Sequence, residues 1–207
     1  MIIDPKQQTF KDNHKLMIGT IVPRPIALVS TLSKNKIKNI APFSYFNGVC
    51  SKPPTIMFAP GRRGWDGKAK DTLVNIRETK EFSINLVSES FAEKMVSCST
   101  DFSSDIDEFN ISKLTPIPSN IIKPSIVKEA KVSFECILNQ IVQVGNNEAG
   151  AGFIVIGEIK LFHIDDNIFN EGHINLKKFN PIGRLAGNWY SRLTNNFEII
   201  RKIKPNN

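Results

Sequence analysis

Residues Pro23 to Phe58 read PRPIALVSTLSKNKIKNIAPFSYFNGVCSKPPTIMF and carry more information about the architecture than any other part of the chain. Two apolar runs rich in strand-forming residues flank a lysine-containing turn, and the second run is interrupted at Pro42. Proline has no N–H to donate to a β-ladder, so it is found at sheet edges or bulges. The stretch therefore predicts two consecutive strands, the second of which lies at an edge or is kinked.

The residues around Pro42 combine small polar groups with aromatic rings. Ser44 and Asn47 offer a hydroxyl and an amide, and they alternate with Phe43, Tyr45 and Phe46. Such a segment suits backbone and hydroxyl contacts to a flat ring rich in heteroatoms. The alternative interpretation of the two phenylalanines is core packing, because buried aromatic side chains dominate many protein cores.

The rest of the chain predicts short, closely spaced strands and a few helices, a pattern typical of an antiparallel barrel or sandwich. We expect strands at about 26–30, 37–46, 55–59 and 81–87, and helices at about 14–18, 72–79 and 88–97. The first strand is apolar throughout, which indicates burial on both faces. Asp71 is the predicted N-cap of the middle helix, and Phe91, Met95 and Val96 are expected to face inward.

The second half of the chain predicts one long hairpin. Val132 to Asn139 and Phe153 to Leu161 alternate in polarity, and the connection at 145–150 contains two glycines and two asparagines. A polar, irregular segment at 101–118 precedes the hairpin and is interpreted as a lid. From Asn180 onward, we expect loop structure and a polar tail.

The composition is that of an ordinary globular protein. The chain has 207 residues, of which 41% are hydrophobic and 23% charged, with a net charge of +7. We expect one domain over residues 1–207, with cytoplasmic localisation, because no apolar run reaches the roughly 18 residues of a membrane span and the N-terminus lacks a secretion signal. The lysines are scattered, and the cluster Lys34, Lys36 and Lys38 is interpreted as a solvated turn, so nucleic-acid binding is not expected.

The cysteines and histidines predict no metal site. Cys50, Cys98 and Cys136 are widely separated, form no CxxC pair and are each expected to be small buried side chains. His14, His163 and His173 show no metal-ligand spacing, and His163 lies in an alternating stretch that favours a structural role.

The loop from Gly61 to Lys70 is rich in glycine and positive charge, but it is not a phosphate-binding P-loop. Five residues separate Gly61 from Gly67, and Ala69 follows Lys68 where a P-loop has a hydroxyl residue. The loop does lead into a predicted helix N-terminus, whose N–H groups form an anion site. Lys70 and Thr72, with Arg62 or Arg63 nearby, are candidates to hold a phosphate monoester. A solvated basic loop followed by an ordinary helix cap is the alternative.

Taken in order, the segments PRPIALVST, NIAPFSYFNGV, KDTLVNI and EFSINLV resemble those of the flavin reductase-like family. The resemblance covers roughly residues 15–190, and the late segment PIGRLAGNWY resembles a family element close to the cofactor. It implies a mainly β chain with a few helices, folded as an antiparallel Greek-key split β-barrel that binds FMN. It also implies a homodimer with the cofactor at the interface.

The resemblance further implies which residues contact FMN. The residues from Ala41 to Asn47 would line the isoalloxazine, Lys70 and Thr72 would take the phosphate, and Thr31 and Asn39 would approach polar parts of the cofactor. Arg184, Gly187 and Tyr190 would close the site, although Arg184 and Tyr190 could instead form a cation–aromatic surface pair. The full set of implied cofactor contacts is Thr31, Asn39, Ala41, Pro42, Phe43, Ser44, Tyr45, Phe46, Asn47, Arg62, Lys70, Asp71, Thr72, Arg184, Gly187 and Tyr190.

The function implied is FMN-dependent oxidoreduction with NAD(P)H as co-substrate and flavin or another small molecule as acceptor. The cofactor would supply the chemistry, so no catalytic side chain is predicted. A monooxygenase could use the reduced flavin. One alternative is an electron-transfer flavoprotein that keeps its FMN, and another is a non-catalytic, basic β-barrel binding module.

Overall fold

The computed structural model describes residues 1–201, and most of its regular structure is β. The α-helices are α1 (Phe10–Thr20), α2 (Asp71–Thr79), α3 (Ala92–Ser97), α4 (Glu108–Ser112) and α5 (Leu176–Phe179), with 3₁₀ turns at Pro5–Gln7, Glu89–Phe91 and Asp166–Ile168. The strands are β1 (Ala27–Leu32), β2 (Lys38–Phe43), β3 (Phe46–Ser51), β4 (Pro54–Phe58), β5 (Glu81–Leu86), β6 (Pro116–Ile117), β7 (Ile126–Val127), β8 (Val132–Val144), β9 (Gly152–Ile164), β10 (Phe169–Asn170), β11 (His173–Ile174), β12 (Ile182–Arg184) and β13 (Tyr190–Arg192). Among residues 1–201, no helix has the length and apolar character needed to cross a membrane.

Seven strands form one antiparallel sheet in the order β2-β1-β5-β8-β9-β4-β3. Strands β2 and β3 lie at its two edges, yet only Ser44 and Tyr45 separate them in the chain. The three Cα–Cα steps from Phe43 to Phe46 span at most about 11 Å, so the sheet must curl until its edges are neighbours. The described strands do not pair β2 with β3, and the barrel is therefore split at this junction. The expected antiparallel, mainly β split barrel is confirmed.

The core lies on both faces of the curled sheet. Inside the curled sheet, the ring of Phe58 packs between the rings of Phe43 and Phe82, whose centroids lie 5.1 and 5.7 Å from its own. Space for Phe82 comes from Gly157, because a Cβ at that position would lie 2.4 Å from the Phe82 ring. On the outer face, Leu28 packs in a second cluster with residues of α3 and α4. Burial of β1 on both faces is thus confirmed.

Pro42 lies in the edge strand β2, opposite Leu28 of β1, as its missing N–H requires. The single strand predicted over 37–46 is wrong in extent, because the chain bends at Ser44 and Tyr45 and begins β3 at Phe46. The first helix is also longer than expected. It begins after Thr9, whose hydroxyl caps it, and it continues through Gly19 to Thr20.

Two further helix predictions are wrong in detail. Asp71 is the first residue of α2 rather than its N-cap, which is Lys70. The segment predicted as a helix over 88–97 begins with a 3₁₀ turn, so the inward face shifts: Phe91 and Met95 are buried, but Val96 is exposed. Cys98 and Cys136 are buried as predicted, whereas Cys50 is exposed because it lies on the edge strand β3.

The long hairpin is confirmed, with β8 paired to β9 across two register shifts. The polar segment at 101–118 is only partly irregular, since it contains α4 and β6. The segment after Asn180 is not a simple loop, because β12 and β13 form a short hairpin. Its three-residue strands are too short to show an alternating pattern in the sequence.

Candidate functional site

A cleft lies where the edge strand β2, the N-terminus of α2 and the segment after α3 meet. The open space between its walls, including solvent at its mouth, is about 470 Å³. The lining residues are Asn39, Ala41, Pro42, Phe43, Arg63, Lys70, Asp71, Thr72, Cys98, Ser99, Thr100, Asp101, Phe102 and Glu108. The cleft therefore brings together the two sequence segments that suggested a ring site and an anion site.

The N-terminus of α2 presents backbone donors to this cleft. The N–H groups of Leu73 and Val74 both donate to the carbonyl of Lys70, at 2.9 and 3.2 Å. The preceding N–H groups, those of Asp71 and Thr72, come before the helical ladder and are available to an anion. The N-cap is Lys70, whose side chain has donors but no acceptor with which to cap the helix.

A buried polar network supports the strand wall of the cleft. The hydroxyls of Thr31 and Thr72 donate to Oδ1 of Asn39, at 3.0 and 2.8 Å. The amide of Asn75 donates in turn to the hydroxyl of Thr31 at 3.0 Å. All four side chains are buried, so Thr31 lies behind Asn39 and Asn39 itself reaches the cleft.

Glu108 completes this network, although no pattern in the sequence pointed to it. Its Oε1 accepts from Nδ2 of Asn39 at 2.7 Å, and its Oε2 accepts from the N–H of Ile40 at 3.2 Å. Burial is the main reason that the pKa of this carboxyl rises to about 7, and the nearby negative charge of Asp71 adds to the rise. Its partners lie 69 and 68 residues away in sequence, so only the folded chain brings them together.

Two ion pairs cross the cleft. Arg63 Nη2 lies 2.9 Å from both carboxylate oxygens of Asp71. Lys70 Nζ donates to Asp101 Oδ1 at 2.8 Å. Burial alone would raise the pKa of the Asp101 carboxyl, but the hydrogen bond from Lys70 and its charge outweigh burial and hold that pKa below its ordinary value.

The two basic residues considered for the phosphate differ in position. Arg63 lines the cleft, whereas Arg62 donates to the carbonyl of Gly67 and to Asn147, and its guanidinium lies over the ring of Phe153. Neighbouring residues of an irregular loop have no fixed periodicity, so the sequence did not distinguish these two arginines.

The segment after β2 continues beyond the cleft and meets the late hairpin through Arg24. This arginine is buried, and its guanidinium donates to the hydroxyl of Ser44 at 3.2 Å and to the carbonyl of Leu185 at 3.0 Å. Its backbone also exchanges two hydrogen bonds with Arg184. Arg24 could not be predicted from the sequence, because its role depends on contacts up to 161 residues away.

The remaining implied residues lie around this junction. Arg184 lies over the ring of Tyr190 at 4.5 Å, which is the cation–aromatic pair considered from the sequence. Gly187 follows in the hairpin loop with φ of +55°, a left-handed conformation that suits glycine. Tyr45, Phe46 and Asn47 run from the junction into β3, outside the lining of the cleft.

Other reactive side chains have structural surroundings. Burial raises the pKa of the Cys98 thiol to about 11, so it is a poor nucleophile at neutral pH. His163 pairs with the buried Glu135, at 2.6 Å, and that carboxylate also accepts three backbone N–H groups from residues 120–122. Within the described part of the chain, no three His, Cys, Asp or Glu side chains are grouped as metal ligands.

Comparison with known proteins settles the family. The model of the flavin reductase like domain matches residues 18–181. The chain belongs to the flavin reductase-like family. Membership of this family groups the chain with flavin-related oxidoreductases.

Three relatives match this chain over 88% or more of their own length. A protein of Aquifex aeolicus is 44% identical over 178 residues, which are 86% of this chain and 88% of the relative. The structure of nitrilotriacetate monooxygenase component B from Bacillus cereus has a TM-score of 0.91 at 36% identity and covers 96% of this chain and 98% of its own. That of 2-nitrobenzoate 2-nitroreductase from Pseudomonas fluorescens has a TM-score of 0.85 at 31% identity, with 98% and 96% covered.

Proposed function

We propose that this protein is an FMN-binding oxidoreductase that takes a hydride from NAD(P)H and passes electrons to flavin or another small acceptor. One observation carries the proposal: the Asn39–Phe43 segment and the Lys70–Thr72 helix start line the same cleft. An aromatic, polar strand and a cationic helix N-terminus in one cleft are what a phosphorylated flat ring requires.

The donors present fit such a ligand. The N–H groups of Asp71 and Thr72 and the ammonium of Lys70 would hold the phosphate. Residues 41–43 and the junction that follows them would hold the ring.

The chemistry would come from the cofactor. When bound, FMN supplies hydride acceptance and electron transfer. The chain's own residues bind and orient it, and the proposal assigns no side chain to proton transfer. Arg24 donates a hydrogen bond to the hydroxyl of Ser44, the first residue of the junction, and so holds that hydroxyl next to residues 41–43.

We propose further that two copies of the chain associate. The helix α1 contains no buried residue within the described chain, and its apolar side chains Phe10, Leu16 and Met17 are each at least 40% exposed. Ile21 and Val22 extend this apolar face. A second copy covering the face would remove it from water, and sedimentation velocity of the purified protein measures whether the dimer forms.

A specific observation favours a monooxygenase as the user of the reduced flavin. The structural relative with a TM-score of 0.91 is component B of a nitrilotriacetate monooxygenase. The nitroreductase relative supports a different outcome, direct reduction of a small organic acceptor. Three free cysteines and an NAD(P)H co-substrate are consistent with action in the cytoplasm.

The test is spectroscopic. The purified protein, reconstituted with FMN, should show the absorbance bands of oxidised flavin and should bleach when NADH or NADPH is added without oxygen. Flavin binding without bleaching would favour an electron carrier. A protein that takes up no flavin, and instead binds nucleic acid with steep salt dependence, would favour the basic binding module.

A further inference from the structure

The proposed phosphate site already contains a carboxylate that makes the contact expected of a phosphate. Asp101 Oδ1 accepts from Lys70 Nζ at 2.8 Å, and both residues line the cleft. A phosphate oxygen and a carboxylate oxygen compete for the same ammonium because both are anionic acceptors. Lys70 thus has an internal partner on the residue 98–102 segment.

The charges of the cleft make this competition important. Arg63 pairs with Asp71 and Lys70 pairs with Asp101, so two carboxylates match the two cations that line the cleft. Glu108 adds a third carboxyl, with a pKa of about 7. At neutral pH about half of the Glu108 carboxyl is protonated, so these five groups give the lining a net charge between about 0 and −1. A phosphate dianion gains no net attraction from them, and its binding would strengthen when a carboxylate leaves or is neutralised.

Asp101 is the carboxylate best placed to leave. Asp71 belongs to α2 and is held by Arg63, and Glu108 is buried with two donors. Asp101 lies outside regular secondary structure, and its side chain is 36% exposed. Water can therefore take over its hydrogen bonds at little cost, as for other exposed ion pairs.

We propose that Asp101 competes with the phosphate of a flavin nucleotide for Lys70, and thereby sets how strongly the protein prefers phosphorylated over unphosphorylated flavin. This rests on the proposed function. The competition lowers the affinity for FMN but not that for riboflavin, which has no phosphate. The flavin is consequently exchanged readily with the solution, as a diffusible carrier requires, instead of being retained permanently.

The experiment measures dissociation constants of FMN and riboflavin, by quenching of flavin fluorescence, for the wild-type chain and the Asp101→Asn variant. Asp101→Asn should bind FMN about tenfold more tightly and release it more slowly in stopped-flow displacement, while riboflavin affinity stays within about twofold. Asp105→Asn is the matched control. Asp105 is exposed, follows the residue 98–102 segment in the chain and does not line the cleft, so this variant makes the same charge change without freeing Lys70.

The outcomes separate this inference from the proposed function. If the wild-type chain binds FMN, and Asp101→Asn leaves that affinity unchanged or weakens it, the competition is overturned. The proposed function then stands. A gain shared equally by riboflavin, or by Asp105→Asn, also overturns it, because the effect would not involve the phosphate and Lys70. Failure of the wild-type chain to bind either flavin overturns the proposed function, and the inference with it.

Discussion

The two walls of the cleft are built on opposite principles. The buried wall (Thr31, Asn39, Thr72, Asn75 and Glu108) consists of buried polar side chains that satisfy one another's hydrogen bonds. The loop wall (residues 98–102) is held across the cleft by an ion pair whose two side chains are each about one-third exposed. A buried polar group left without a hydrogen-bond partner lowers the stability of the fold, whereas an exposed ion pair contributes little to it. The difference indicates that the buried wall is the more rigid side of the cleft. On the proposed function, the ligand would enter along the loop wall.

The strongest way to break the buried wall is to remove its central amide. Asn39→Ala leaves two hydroxyls and the Glu108 carboxyl without their partner, so we expect a loss of about 3 kcal/mol in the free energy of unfolding. Urea unfolding followed by circular dichroism measures it. Asn110→Ala, at an exposed position of α4, is the control and should change stability little. Similar stability in both variants would show that the network is not a structural support.

The Glu108→Gln variant examines the titratable member of the buried wall. The pKa of Glu108 is raised from 4.5 to about 7 in the folded protein. Between pH 4.5 and about 7, the folded chain keeps a proton on Glu108 that the unfolded chain has lost. Protonation of Glu108 therefore stabilises the folded state at low pH, and this stabilisation is lost as the pH rises through about 7. From pH 4.5 to 7.5, the wild type should lose about 2 kcal/mol relative to Glu108→Gln.

The control for that series is Glu93→Gln, which removes an exposed carboxyl from α3. It supplies the baseline for an exposed carboxyl over the same pH range. A difference for Glu108→Gln that does not exceed this baseline would mean that water reaches the carboxyl in the folded state and that the wall is less closed than its burial indicates.

Between the two walls lies Lys70, the cation proposed to hold the phosphate. Lys70→Ala should weaken FMN binding about tenfold, because one charge-assisted hydrogen bond is lost, and should leave riboflavin binding unchanged. Isothermal titration calorimetry measures both affinities. Lys68→Ala removes an exposed lysine of the same loop and should have little effect. Unchanged FMN affinity in Lys70→Ala would remove Lys70 from the phosphate site.

The smallest expected effect concerns the stability contribution of the loop wall. Asp101→Asn should change the free energy of unfolding by no more than about 0.5 kcal/mol, as is usual for a partly exposed ion pair. Differential scanning calorimetry at one pH measures this against Asp105→Asn. A loss as large as that from Asn39→Ala would erase the distinction between the walls.

Much of the fold was predictable because it depends on local patterns. Alternation in β8 and β9, the turn between them and the edge position of Pro42 all follow from neighbouring residues. The segments that line the candidate site were recognisable for the same reason, since each is a short run in the sequence. The hairpin of β12 and β13 was missed because three residues do not define a period.

The parts of the site that could not be predicted depend on contacts between distant residues. Arg24 appears in the sequence as one residue between two prolines, yet it joins α1, the β2–β3 junction and the late hairpin. Glu108 lies in a polar stretch where burial was not expected. Asp101 looks like one more acidic residue of a lid, and only the folded chain places it against Lys70.

The two-residue junction of Ser44 and Tyr45 restricts how this chain can change during evolution. The turn at 145–150 lies at a sheet end, where an inserted residue leaves the pairing of β8 with β9 unchanged. One residue added at the junction would instead reverse which side chains of β3 face the inside of the barrel, because the side-chain period of a strand is two. We therefore expect homologous chains to differ in length at the hairpin turn and to keep the same spacing between Pro42 and Phe46.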